Sequence, residues 1–202
     1  MPRPREFEED AVLDAAIECF WRRGLESTSV RDLSEATGLG QPSLYNAFGD
    51  KRQLFARSLE RYATQSMRAR IARLEATRAP ADAIRSFFRE LIRRSLADPD
   101  RRGCLIVNSA IEVAPHDAEL RRVIEGYLVE IESFFLRCLE RARDDGSFDP
   151  GHDVRDLARQ FLGLLLGLRV ASRARPQREL LEGMVRPALA LLAPARSSKK
   201  EN

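Results

Sequence analysis

The stretch that decides the fold is residues 27–55, which read STSVRDLSEATGLGQPSLYNAFGDKRQLF. Either Thr28 or Ser29 can cap a helix, and Asp32 follows Ser29 at the spacing of a capping box. Gly38 suits the left-handed backbone of a tight turn. The pattern predicts a short helix followed by a compact turn.

A second short helix is predicted directly after this turn, because Pro42 suits the first turn of a helix. Leu44 and Phe48 are four residues apart and are expected to face inward. The side chains expected to face outward are Gln41, Pro42, Tyr45 and Asn46. No acidic residue occurs in 36–49, so nothing on this helix would repel phosphate. The pattern predicts a helix-turn-helix whose second helix could enter the major groove of DNA.

The rest of the chain shows a helical period of apolar residues, with no alternating strand pattern. The first helix is predicted from about Phe7 to Arg22, with Gly24 after its end. Further helices are expected to begin near Lys51, Ala81, Cys104, Asp117, Val154 and Gln177. The predicted fold class is all-α.

The domain organisation follows from a change near residue 55, where short helices give way to long amphipathic ones. We predict a three-helix DNA-binding domain over residues 1–54 and a second helical domain over 55–193. Residues 194–202 are polar and are expected to form a flexible tail.

Composition and motifs exclude several classes of protein. The chain has 202 residues and a net charge of only +3, so overall charge does not predict nucleic-acid binding. The apolar run 161–168 is too short to span a bilayer, and three scattered cysteines do not suggest disulfides. We expect a cytoplasmic protein without a membrane partner.

Known catalytic and metal-binding patterns are missing from the sequence. Its two histidines, His116 and His152, stand beside Pro or Gly, and no Cys or His spacing resembles a zinc site. There is no glycine-rich phosphate loop and no nucleophile elbow. We expect no metal, no cofactor and no enzymatic activity.

Residues 55–193 contain aromatic side chains near scattered polar groups, a mixture that could line a ligand pocket or simply pack as core. The candidate pocket residues are Phe87, Phe88, Leu91, Ile106, Asn108, Ser109, Glu112, Phe134, Phe135 and Cys138.

The last two helices are apolar over most of their surface, so they must be buried either within the chain or against a partner. The candidate dimer-interface residues are Phe161, Leu164, Leu165, Leu168, Leu181, Met184, Val185 and Leu189.

Cys104 is the candidate reactive residue, because it follows two arginines and a glycine where a helix is expected to begin. Nearby cations and a helix N-terminus lower the pKa of a thiol. A buried and inert thiol is the alternative interpretation.

Residues 28–33 and 38–51 resemble the second helix, the turn and the recognition helix of the TetR family of transcriptional regulators. The resemblance extends more weakly over the whole chain. By position, it implies that Tyr45 and Lys51 hold the DNA backbone, with Thr28 and Ser43 as secondary phosphate contacts. The positions that commonly read base edges are Gln41, Pro42 and Asn46.

The resemblance implies a ligand-responsive regulator, in most cases a repressor, with a C-terminal regulatory and dimerisation domain. In the family, the last two helices of two copies form a four-helix bundle. The expected partners are therefore a second copy, a palindromic double-stranded operator and a small-molecule effector. The alternatives are a thiol-based redox or electrophile sensor acting through Cys104, an all-α enzyme or redox protein using Cys104, or a helical protein-docking module.

Overall fold

The computed structural model describes residues 9–148, 151 and 153–192, and this part of the chain contains helices and no strands. The all-α prediction is confirmed. The ten α-helices of the described residues are α1 (Glu9–Ser27), α2 (Val30–Thr37), α3 (Gln41–Phe48), α4 (Lys51–Tyr62), α5 (Ala69–Thr77), α6 (Pro80–Leu96), α7 (Leu105–Glu112), α8 (Ala118–Asp144), α9 (Val154–Ala174) and α10 (Arg178–Ala190).

The helix starts predicted after residue 50 all lie within one residue of the observed starts. Local signals account for this agreement. The Asp50 side chain accepts a hydrogen bond from the Gln53 backbone N–H, and the Gln53 side-chain oxygen accepts one from the Asp50 backbone N–H, which forms a capping box at α4. Pro80 begins α6, and the Asp153 side chain caps α9.

Two features differ from the predicted helices. A π-helical segment, Ala63–Arg68, interrupts the helix that begins at Lys51. In α1, Gly24 takes a left-handed backbone (φ 81°), and a further helical turn follows it. Three features of the sequence lie outside the described residues. They are the predicted helix start near Phe7, the residue His152 and the predicted tail 194–202.

The chain divides into two compact units that differ from the predicted domains. The first unit consists of the described residues up to Ala69 together with Cys104–Tyr127, and the second consists of Arg70–Gly103 and the described residues from Leu128 onward. The predicted functional boundary after residue 54 stays a prediction.

The core of the first unit holds α2 and α3 against α1 and α4. Leu33 on α2 and Leu44 and Phe48 on α3 are buried, and Phe20 meets Phe55 edge-on with ring centroids 5.0 Å apart. Burying each of these side chains contributes about 1.5–3 kcal/mol. This burial fixes which face of α3 remains in solvent.

The core of the second unit is a cluster of buried aromatic rings from α6, α8 and α9. Its members, with neighbouring centroids 5.2–5.8 Å apart, are Phe87, Phe88, Phe134, Phe135 and Phe161. Within the described residues, no helix is long and apolar enough to cross a membrane.

Candidate nucleic-acid interface

The helix α2 begins with a reciprocal capping box, as the sequence predicts. The Ser29 hydroxyl accepts a hydrogen bond from the Asp32 backbone N–H at 3.1 Å, and the Asp32 carboxylate accepts one from the Ser29 N–H at 2.9 Å. The hydrogen bonds from Ser29 hold the pKa of Asp32 below its usual range.

The turn between α2 and α3 is closed by glycine. Gly38 has φ 70°, and its N–H donates to the Ser34 carbonyl at 3.0 Å. Gly40 precedes α3 without a side-chain cap, and Pro42 occupies the first turn. The predicted helix-turn-helix geometry is therefore present in the structure.

The face of α3 turned to solvent is polar and uncharged. Gln41, Pro42, Ser43 and Asn46 are exposed and Tyr45 is half-buried. With its side chains a helix is about 10–12 Å across, which matches the major groove of B-DNA at about 12 Å wide. The face can therefore present hydrogen-bonding groups to base edges.

Thr28 lies in the interior rather than on the surface. It is fully buried, and its hydroxyl donates to the Gly24 carbonyl at 2.5 Å. In this structure the hydroxyl holds the end of α1 and is not available to a phosphate.

The ammonium of Lys51 points at the end of α1. Its Nζ donates to the carbonyls of Leu25 at 2.9 Å, Thr28 at 3.1 Å and Glu26 at 3.5 Å. A cation at the carbonyl end of a helix also interacts favourably with the helix dipole. Lys51 therefore joins α4 to α1, an arrangement that sequence reasoning missed.

Arg52, the next cation, binds the start of α8. Its guanidinium forms a two-bond pair with the Asp117 carboxylate, the Nη2–Oδ1 distance being 2.5 Å, and lies 3.1 Å from Glu119. The same carboxylate accepts from the N–H groups of Glu119 and Leu120. These bonds lower the pKa of Asp117 to about 2, and the bond from Arg52 has the largest effect.

Glu112 also contacts the N-terminal helices, although the sequence suggested a place in the ligand pocket. Its Oε1 accepts a hydrogen bond from the Glu26 backbone N–H at 3.1 Å. A Cβ atom added to Gly24 would lie 2.4 Å from the same carboxylate. Glu112 and Gly24 therefore form a close contact between α7 and α1 within the first unit.

The other candidate pocket residues fall into both units. In the first unit Ile106 and Ser109 are buried and Asn108 is half-buried. In the second unit the candidates are buried, namely Phe87, Phe88, Leu91, Phe134, Phe135 and Cys138. Their role in ligand binding stays a prediction.

Most candidate dimer-interface residues pack inside one chain. Those buried in the single chain are Phe161, Leu165, Leu168, Leu181 and Val185. Those partly exposed are Leu164, Met184 and Leu189. One face of α9 is also open and comprises Gly163, Leu166, Gly167 and Val170, the last 48% exposed.

The three thiols differ in their surroundings. Cys104 is half-buried at the residue before α7, and the Tyr62 hydroxyl lies 3.8 Å from its Sγ. Burial raises the pKa of the Cys19 thiol and raises that of Cys138 to about 12. Of the three, Cys104 keeps the position expected of a reactive thiol.

Two family models match the chain. Residues 12–57 match the family described as bacterial regulatory proteins, tetR family, and residues 80–187 match the tetracyclin repressor-like C-terminal domain.

Curated relatives and solved structures agree with these matches. The uncharacterized HTH-type transcriptional regulator YezE of Bacillus subtilis (strain 168) is 37% identical over 95% of this chain and 100% of the relative. The HTH-type transcriptional repressor ComR of Escherichia coli (strain K12) is 28% identical over 85% of this chain and 82% of the relative. A cysteine mutant of the TetR family regulator CifR, solved with 26-bp double-strand operator DNA, superposes with a TM-score of 0.83 at 34% identity. That likeness covers 93% of this chain and 98% of the other.

Proposed function

This chain belongs to the TetR family of bacterial transcriptional regulators, and we propose that it represses transcription by binding a palindromic operator as a homodimer and is released by a small-molecule effector. The observation that carries the proposal is the exposed, uncharged polar face of α3. The operator complex of CifR supports it, because that protein shares the fold and a third of its residues with this chain.

On this face the side chains divide by what they can bond. Gln41 and Asn46 each carry an amide that can bind an adenine edge through two hydrogen bonds, and the Pro42 ring can contact a thymine methyl group. Ser43 and Tyr45 carry hydroxyls suited to phosphate oxygens. Base discrimination is thus assigned to three residues and backbone contact to two.

Lys51 contributes to phosphate binding as a second role, after its hold on α1. Of its three carbonyl partners, Glu26 is the most distant, at 3.5 Å. The N–H directed at Glu26 can bond to a phosphate oxygen instead, while the bonds to Leu25 and Thr28 remain. The contact would then be made by an ammonium whose position is already fixed.

Homodimerisation supplies a second copy of α3, the helix that reads base edges in this proposal. The open face of α9, with Gly163 and Gly167 among larger apolar residues, lets another helix approach closely. A two-fold dimer presents two copies of α3, so its operator has two related half-sites whose separation the dimer determines.

Effector response requires a path from the regulatory helices to α3, and the first unit contains two contacts suited to it. Glu112 binds the end of α1, and Asp117 binds the first turn of α4, directly after the reading helix. A ligand that moves α7 or the start of α8 would shift these anchors. To release DNA, it must bind the displaced arrangement more tightly than the DNA-bound one.

The test is fluorescence anisotropy with labelled duplex from the region upstream of the chain's own gene. Gln41→Ala is expected to weaken binding to this duplex and leave binding to random duplex unchanged, whereas Tyr45→Phe weakens both. Gln65→Ala, which removes an exposed glutamine outside α3, is the matched control. Equal affinity of the wild-type protein for the upstream and random duplexes would contradict the proposal.

Thiol sensing through Cys104 remains a second candidate, favoured by the place of this residue before α7 and its contact with Tyr62. Peptide mass spectrometry after mild iodoacetamide treatment tests it. If Cys104 stays unmodified while the protein is folded, it is not a sensor thiol.

A further inference from the structure

A groove lies between α6 and α10 of the second unit, and it shares Phe88 with the candidate pocket residues and Val185 and Leu189 with the candidate dimer-interface residues. Its volume is about 580 Å³, within the range of small-molecule sites, roughly 300–1,000 Å³. Its floor is apolar and is formed by Phe88 and Ile92 of α6 with Val185 of α10. These floor side chains are almost fully buried, so the groove rests on a well-packed base.

The rim of the groove is strongly cationic. Arg89 and Arg93 lie one turn apart on α6, and Arg186 faces them from α10. All three are exposed, and none of them pairs with a carboxylate of the described residues.

A fourth arginine on the rim differs from these three. Arg178 lies 3.1 Å from Glu182, the single acidic residue lining the groove. Four arginines against one glutamate leave an excess of three positive charges. Arg89 and Arg93 are four residues apart on one helix, so their like charges repel each other and destabilise the helix slightly. An anion between the two helices would relieve this repulsion.

We propose that this groove binds an amphipathic organic anion, with its anionic headgroup among Arg89, Arg93 and Arg186 and its apolar body over Phe88 and Ile92. Arginine suits such a headgroup, because its planar fork of N–H donors matches the two oxygens of a carboxylate. The apolar floor distinguishes this occupant from an inorganic anion, which would leave that surface uncovered.

Binding to the groove does not depend on DNA, so the test uses the full-length protein alone. Isothermal titration calorimetry with decanoate is compared with decylammonium, which has the same number of carbon atoms and the opposite charge. We expect one decanoate per chain and at least about tenfold weaker binding of decylammonium. Decanoate binding should also weaken at high salt, because exposed charges are screened.

Substitutions locate the site. The double variant Arg93→Gln with Arg186→Gln should weaken decanoate binding by about tenfold, the effect of losing one to two charge-assisted hydrogen bonds at an exposed position. Arg94→Gln is the matched control, because Arg94 is also exposed on α6 but does not line the groove. Since all these residues are exposed, the variants should fold normally.

Three results would overturn the proposal. Decylammonium could bind as tightly as decanoate, which would remove the role of the arginines. Arg94→Gln could weaken binding as much as the double variant. Finally, the double variant could shift the monomer–dimer equilibrium in sedimentation while decanoate binding stays unchanged, which would make the groove an interface between copies.

Discussion

Replacing Lys51 with methionine keeps the length of the side chain and removes its ammonium from the end of α1. Two of its three bonds, to Leu25 at 2.9 Å and Thr28 at 3.1 Å, have the length of good hydrogen bonds. A hydrogen bond to a charged group contributes about 1.5–3 kcal/mol. Because Lys51 is half-buried and water can replace part of each bond, we take the lower value for both and expect a loss of about 3 kcal/mol.

The assay follows unfolding of the first unit through its tryptophan. Trp21 is the single tryptophan of the chain, and its ring lies 5.0 Å from that of Tyr62. Urea titrations at neutral pH would give the free energy of unfolding for the wild-type and Lys51→Met proteins. Arg31→Met is the control, because Arg31 is a cation on α2 whose partner, Glu35, is also exposed.

The reasoning would be refuted if Lys51→Met and Arg31→Met unfolded at the same urea concentration. Operator binding separates the two roles of Lys51. Loss of a phosphate contact lowers the slope of log affinity against log salt by about one, whereas loss of the hold on α1 lowers the stability measured without DNA. We expect both changes in Lys51→Met.

Three further substitutions or titrations follow from the same structure. Gly24→Ala should destabilise the protein by about 2–3 kcal/mol in the same assay, because the left-handed backbone of Gly24 disfavours a side chain and the new Cβ atom meets Glu112. Adding Glu112→Ala should recover only part of this loss. Full recovery would contradict the backbone argument. The pKa of Asp117 is lowered by Arg52 from 3.8 to about 2, so its contribution to stability is complete above about pH 4 and is lost as the pH falls toward 2. Asp117→Asn should flatten that loss in urea titrations at pH 2–5, and an unchanged acid profile would count against the pairing. Cys138, with its pKa raised to about 12 by burial, should resist iodoacetamide at pH 8 until the protein is unfolded, and peptide mass spectrometry would detect labelling that contradicts this.

The helix-turn-helix could be predicted from the sequence because its signals are local. The Ser29–Asp32 capping box and the Asp50 cap of α4 join residues three positions apart. Gly38 and Pro42 act through their own backbone preferences. Such interactions are present in the pattern before any tertiary contact forms.

The partners of the two cations could not be predicted, because they lie far away along the chain. Lys51 reaches carbonyls 23–26 residues before it, and Arg52 reaches a carboxylate 65 residues after it. The sequence shows that positive charges stand beside the reading helix. It does not show that both are already engaged within the protein.

The apolar C-terminal helices illustrate a second limit. Periodicity shows that a side chain such as Phe161 or Leu181 must be buried, and the structure buries both within one chain. It does not show whether the covering surface belongs to the same chain or to another. The open face of α9 carries Gly163 and Gly167, two small residues within the apolar run 161–168.

The absence of any charged side chain from residues 36–49 has a consequence for how this regulator would search a genome. The salt dependence of DNA affinity arises from counterions released along the sugar-phosphate backbone, and hydrogen bonds between neutral groups and bases hardly contribute to it. The affinities for all duplexes should therefore fall in parallel as the salt concentration rises. The ratio of the affinity for the correct site to that for random sequence should stay nearly constant, so discrimination should persist over the range of salt concentrations that changes occupancy.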